Sequence, residues 1–145
     1  MNKCWIFDID KTIADNSGRE SLIPRRGWST KHFSKYNKAC IHDKPIENII
    51  ELVRSLSKSG FKIILVTGRC ADSESETRQW LSQYDVPFDE LYMRAVNDNR
   101  NAITIKADIF ARISATNQIL GAFDDDPKLT IGLSRLGYSM ILVTS

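Results

Sequence analysis

The chain has 145 residues, 42% of them hydrophobic and 26% charged, with a formal net charge of +2. That length suits a single domain over residues 1–145, with a core large enough to need no covalent or metal staple. So mild a charge does not by itself argue for nucleic acid, and no apolar run approaches the ~18 residues that a membrane span requires.

The N-terminus lacks a signal-peptide pattern, so a cytoplasmic setting is expected. Cys4, Cys40 and Cys70 show neither a C-x-x-C nor a zinc spacing, which fits reduced thiols. Six positions after each stand Asp10, Ile46 and Glu76 rather than Arg, so the compact loop of cysteine phosphatases is absent.

Residues 3–9 read as a strand buried on both faces, running into Asp8-Ile9-Asp10. Ile46, Ile49, Ile50, Val53 and Leu56 recur at helical spacing, and Gly60 ends that helix. A second buried strand, 61–66, leads to Thr67-Gly68-Arg69. A polar helix over 73–84 turns Trp80 and Leu81 inward, and a third strand covers 89–94. A helix over 105–115 precedes a fourth strand, 119–123, which ends at Asp124-Asp125-Asp126. Pro127 suits the first turn of a further helix closed by Gly137, and the last strand is 139–143.

Strands alternating with helices predict an α/β fold: a doubly wound, Rossmann-like parallel sheet of about five strands with helices on both faces. In such sheets ligands sit at the carboxyl ends of the strands. Those ends carry Asp8 and Asp10, Thr67 and Arg69, and Asp124 and Asp125. Residues i and i+2 of a strand face one way, so Asp8 and Asp10 are expected to converge with the aspartates of the fourth strand. Buried carboxylates repel one another and lose hydration, so a compensating cation is required. An all-oxygen set suits Mg²⁺, which keeps waters that a phosphate can replace. Thr67, the backbone amides around Gly68 and Lys106 are candidates for holding the remaining phosphate oxygens.

Asp8-Ile9-Asp10-Lys11-Thr12, then Thr67-Gly68, Lys106 and Asp124-Asp125, resemble the four motifs of the haloacid-dehalogenase-like (HAD) phosphatases in order and spacing. The resemblance spans essentially the whole chain. It implies a HAD-like core with a minimal cap, here a short insertion over about residues 15–45. It also implies that Asp8 is the nucleophile, forming an aspartyl phosphate, and that Asp10 is the general acid and base. Thr12, Thr67, Gly68 and Lys106 are then phosphate-binding candidates. Mg²⁺ would rest on Asp8, the Asp10 carbonyl and Asp124, with Asp125 nearby or acting through water.

Gly18-Arg19, Thr67-Gly68-Arg69, Tyr92-Met93-Arg94 and Arg100, six residues before Lys106, narrow the resemblance. They are similar to the 3'-phosphatase domain of polynucleotide kinase. This implies phosphate contacts from Arg19 and Arg69 and a DNA or RNA 3' end as substrate. Ala102 stands where those relatives commonly carry Asp, and Lys11 replaces their usual Gly. No G-x-x-x-x-G-K-[ST] kinase loop occurs.

Other readings stay open at this point. A HAD-type nucleotidase or other small-molecule phosphatase would need the same motifs. A receiver-like module binding Mg²⁺ and phosphate is a non-enzymatic alternative, although its phosphoacceptor Asp would end the middle strand, where Thr67-Gly68-Arg69 stands. Asp126 beside Pro127 fits a helix cap. Arg94 and Arg100 are either substrate contacts or surface residues, and neither His32 nor His42 belongs to a ligand pattern. Residues 19–38 hold six Lys or Arg against one Glu, with Trp28, Phe33 and Tyr36 among them. Such a segment is either a solvated face or a place for stacked bases.

Overall fold

The computed structural model describes residues 1–144. Five parallel strands form the main sheet: β1 (Asn2–Phe7), β4 (Lys62–Cys70), β5 (Glu90–Arg94), β6 (Asn117–Asp124) and β7 (Met140–Leu142). Their order is β5-β4-β1-β6-β7. A separate antiparallel pair, β2 (Ala14–Asp15) and β3 (Lys44–Pro45), closes the base of the insertion. Within it lies α1 (Thr30–Lys38); the remaining helices are α2 (Glu47–Lys58), α3 (Glu74–Gln83), α4 (Ala102–Ser114) and α5 (Pro127–Arg135).

Alternation along the central strands explains the two faces. Phe7, Ile63 and Leu65 pack with Ile50 and Val53 of α2 and with Trp80 and Leu81 of α3. Cys4, Ile6, Ile64 and Val66 point the other way, onto Ile105, Ile109 and Ile113 of α4 and Leu129 and Leu133 of α5. Each such aliphatic or aromatic side chain contributes about 1.5–3 kcal/mol when fully buried. Phe7 stacks on Phe123 of the neighbouring strand at 4.5 Å, so truncating it to Ala would cost about 3–5 kcal/mol.

Register carries this packing to the site. Phe7 pairs with Leu65 on one side and Phe123 on the other, and the Asp8 amide donates to the Phe123 carbonyl at 2.9 Å. The residues following these three positions therefore emerge together at the carboxyl edge. Because β1 is the strand from which the chain crosses both ways, a crevice opens there.

Local differences from the sequence expectation have local causes. The first strand stops at Phe7, because the amides of Thr12, Ile13 and Ala14 all turn back onto the Ile9 carbonyl. Lys11 takes φ 61° in that turn, the conformation a glycine adopts most easily. The helix expected from 105 starts at Ala102, since the Asn101 side chain accepts from the Thr104 amide at 2.9 Å. In the polar insertion, α1 begins at a cap formed by Ser29 and His32. No helix among the described residues is long and apolar enough to cross a membrane.

Candidate active site

The carboxyl ends of β1, β4 and β6 form the floor of a cleft of about 980 Å³. Asp8, Asp10, Thr67, Gly68, Arg69, Lys106, Asp124 and Asp125 all line it, whereas Thr12 and Arg19 do not. The side chains sort into two clusters.

In the first, Lys106 projects from α4 and donates from Nζ to Asp8 Oδ1 at 3.1 Å and to Asp124 Oδ2 at 2.6 Å. All three residues are buried. Burial works against the Lys106 charge, but the two carboxylates outweigh it and hold the ammonium protonated. Burial also drives the Asp8 carboxyl well above the ordinary range; Lys106 opposes this, while Asp124, Asp10 and Asp125 reinforce it. Carboxylate oxygens of Asp8, Asp124 and Asp125 lie within 4.8 Å of one another. One lysine for three converging acids leaves a negative, all-oxygen pocket whose donor chemistry fits a hard divalent cation.

In the second cluster, Asp10 is gripped by two arginines. Arg69 donates from Nη2 to Oδ1 at 2.7 Å and from Nε to Oδ2 at 3.2 Å, and Arg19 Nη2 reaches Oδ1 at 2.7 Å. Burial alone would raise the Asp10 carboxyl, but Arg69 and then Arg19 overcome it and hold the group below its ordinary value. Behind them Asp43, buried, accepts from Arg19 Nε at 3.0 Å and stands 3.5 Å from Arg69 Nη2. Its own indirect anchor is Trp80, whose Nε1 donates to the Asp43 carbonyl at 2.8 Å.

The sequence of residues 2–144 matches the family model of the polynucleotide kinase PNKP phosphatase domain. The chain belongs to this family. Its fold is similar to a chain of a Pnkp1/Rnl/Hen1 complex, with TM-score 0.83 and 23% identity over 99% of this chain and 46% of that one. A second Pnkp1/Rnl/Hen1 structure, described as an RNA repair complex, gives TM-score 0.81 and 23% identity over 99% and 42% of the two chains. The class C acid phosphatase of Bacillus anthracis has TM-score 0.72 and 15% identity, over 97% of this chain and 65% of that one. At these identities the likeness is one of fold, and this chain spans less than half the length of the matched chains of the two Pnkp1/Rnl/Hen1 complexes. No curated protein sequence matches it.

As a PNKP-type phosphatase domain, the chain has a HAD-like core with motif residues gathered at one sheet edge. Three carboxylates converge, those of Asp8, Asp124 and Asp125, while Asp10 is engaged by the two arginines instead. The reason is that β1 ends at Phe7, so the strand pleat does not extend to Asp10. Nor are Arg19 and Arg69 free phosphate clamps. Arg19 is spent on Asp10, Asp43 and the Tyr36 carbonyl, and Arg69 on Asp10, Asp43 and the Thr77 hydroxyl. Thr12 is fully buried with its hydroxyl unpartnered and does not line the cleft.

Thr67 faces the cleft and its Oγ1 accepts from the Arg69 amide at 3.1 Å. Arg94 also lines the cleft, yet it is committed to the carbonyls of Gly68, Asp98 and Arg100. Arg100 pairs with Asp98 and Asp108. Asp126 caps α5, accepting from the Lys128 and Leu129 amides. Sequence reasoning missed Asp43. No local signal shows that Arg19 and Arg69 are buried and so need a second carboxylate beside Asp10.

Proposed function

We propose that this domain is a Mg²⁺-dependent phosphomonoesterase that removes the 3'-phosphate from polynucleotide ends through an aspartyl phosphate. The single observation that carries this reading is the pairing of roles at one strand end. Asp8 sits against Lys106 and a metal-competent acid cluster, while Asp10, two residues on, is held apart by two arginines.

In the proposed reaction an Asp8 carboxylate oxygen attacks phosphorus as the bond to the 3'-oxygen breaks, and Asp10, in the protonated form that the two arginines disfavour, delivers its proton to that leaving oxygen. The phosphoryl group is then on Asp8. Asp10, now a carboxylate, takes a proton from water, which attacks phosphorus and releases inorganic phosphate and Asp8. The arginines suit Asp10 to the second step by favouring its ionised form. Lys106 and the Thr67 hydroxyl complete the phosphate seat in this proposal, with the Gly68 backbone beside them. Mg²⁺ would be held by Asp8, Asp124 and the Asp10 carbonyl, with Asp125 at hand. It would supply charge neutralisation to the phosphoryl oxygens. Arg19 and Arg69 are proposed to position Asp10.

The short insertion, about residues 15–45 with one helix of nine residues, supports a polymer end over a sequestered metabolite, since it is too small for a full lid. Its exposed Lys31, Lys35 and Lys38 suit salt-sensitive backbone contacts. Residues 1–145 are proposed as one catalytic domain. The test is a panel of 3'-phosphorylated DNA and RNA oligonucleotides, their 5'-phosphorylated counterparts and free nucleotides, with and without Mg²⁺. The expected result is Mg²⁺-dependent preference for 3'-phosphorylated strands. Preference for free nucleotides would replace this reading with a nucleotidase.

A further inference from the structure

Three rings of the insertion form a run from the cleft mouth to the acid–base pair. Trp28 is 83% exposed, and its ring lies 6.2 Å from that of Phe33 at a 34° tilt. Phe33 meets Tyr36 edge-on at 6.1 Å, and the Arg19 guanidinium sits 4.3 Å over the Tyr36 ring. All three rings line the cleft that holds Asp8. Arg19 in turn holds Asp10, so the run ends at the general acid and base.

Trp28 has no part in the core, unlike Trp80, which is fully buried. Its backbone is nonetheless well fixed. Gly27 takes φ 86°, and a Cβ there would come within 2.4 Å of the His32 ring, so the chain passes His32 where no side chain fits. Ser29, next in sequence, caps α1. The start of α1 is tied across the cleft: Asn99 accepts from the Thr30 amide at 2.7 Å, and Thr30 Oγ1 accepts from the Asn97 amide at 3.0 Å. An exposed indole on a braced corner is preorganised to receive a flat partner. Arg25, Arg26, Lys31 and Lys35 around it are exposed cations, the setting in which aromatic side chains stack the bases of a strand.

We infer that Trp28 and Phe33 form a nucleobase subsite, on which a base at the phosphorylated 3' end stacks while its phosphate enters the floor at Asp8. This subsite rests on the polynucleotide reading above and adds a requirement that reading does not contain: a base, not merely a phosphate ester.

The experiment uses the Asp8→Asn protein, so that substrate is bound but not turned over. Two 3'-phosphorylated oligonucleotides are compared, one with normal bases and one abasic at its last two positions. The base-bearing strand is expected to quench tryptophan emission, and Trp28→Phe to remove that quenching. Trp28→Ala is expected to weaken the base-bearing strand by roughly tenfold more than the abasic one, the scale of one base–aromatic contact. Equal weakening of both strands, or quenching that survives Trp28→Phe, overturns the subsite. Turnover by the unmodified protein separates the two ideas. If it dephosphorylates both strands while the Trp28 effect ignores the base, the subsite fails and the reaction stands. If it dephosphorylates neither while base-dependent quenching persists, the reaction fails and the subsite stands.

Discussion

Arg69 holds Asp10 at two points, Nη2 to Oδ1 at 2.7 Å and Nε to Oδ2 at 3.2 Å, although the two residues are 59 positions apart in the chain. A two-point grip fixes the plane of the carboxyl group as well as its distance, which an ammonium cannot do. Arg69→Lys is therefore expected to lower kcat by about 10- to 100-fold on a small aryl phosphate and to change KM little. Steady-state kinetics decide this. A rise in KM at constant kcat would instead show that Arg69 binds the phosphate directly.

The same grip gives a pH signature. A carboxyl held below its ordinary value in the fold stabilises it above that ordinary value, here 3.8, and loses the contribution as pH falls through the lowered one. Wild-type protein in chelator should thus lose unfolding free energy on acidification from pH 5 downward more steeply than Asp10→Asn, which has no such proton to take up. Urea titrations at several pH values measure both slopes, and parallel slopes would refute the linkage.

Asp43 is predicted to act through the arginines rather than in the cleft. Asp43→Ala strands the buried Arg19 guanidinium with one carboxylate partner, and loss of one member of a buried pair costs about 3–5 kcal/mol. Asp43→Asn, which keeps an acceptor for Arg19 Nε, should cost less. Denaturant midpoints test the order, and equal losses from both substitutions would argue that packing, not charge, is what Asp43 supplies.

At the other cluster, Asp8→Asn removes the proposed nucleophile and also one of the repelling acids. Turnover should fall at least about a thousandfold, with no trapped phosphoenzyme, while the melting temperature holds or rises. Near-normal turnover in the folded variant would falsify the mechanism.

The acid cluster should respond to metal without any substrate present. Binding to the native state alone raises apparent stability with ligand concentration, so Mg²⁺ should raise the melting temperature of the wild type. Asp124→Ala removes one of three carboxylates whose oxygens gather within 4.8 Å and should abolish most of that rise. An identical Mg²⁺ response in both proteins would remove Asp124 from the metal site.

Much of this architecture was legible in the residue order because its causes are local. A short, mostly β-branched run bounded by turn residues, such as Ile63 to Val66, reads as a central strand of a covered sheet. A cap residue or a helix-stopping glycine marks an element wherever it occurs, which is how Asp126 and Gly60 were readable. The carboxylates of Asp8 and Asp124 at strand ends follow from the same patterning. The tertiary structure decided what those groups touch. Lys106 meets Asp8 across 98 positions, and Arg19 meets Asp43 across 24. Motif order places Arg19 and Asp10 near the cleft, but it does not reveal that every nitrogen of that guanidinium is already engaged. Helix α1 is mostly polar, and its start is fixed by the Ser29 cap and the Asn97 and Asn99 ties to Thr30, partners no local pattern shows. Which partner a buried charge finds depends on which distant segments share its desolvated space, and that is a property of the packed chain, not of any stretch within it.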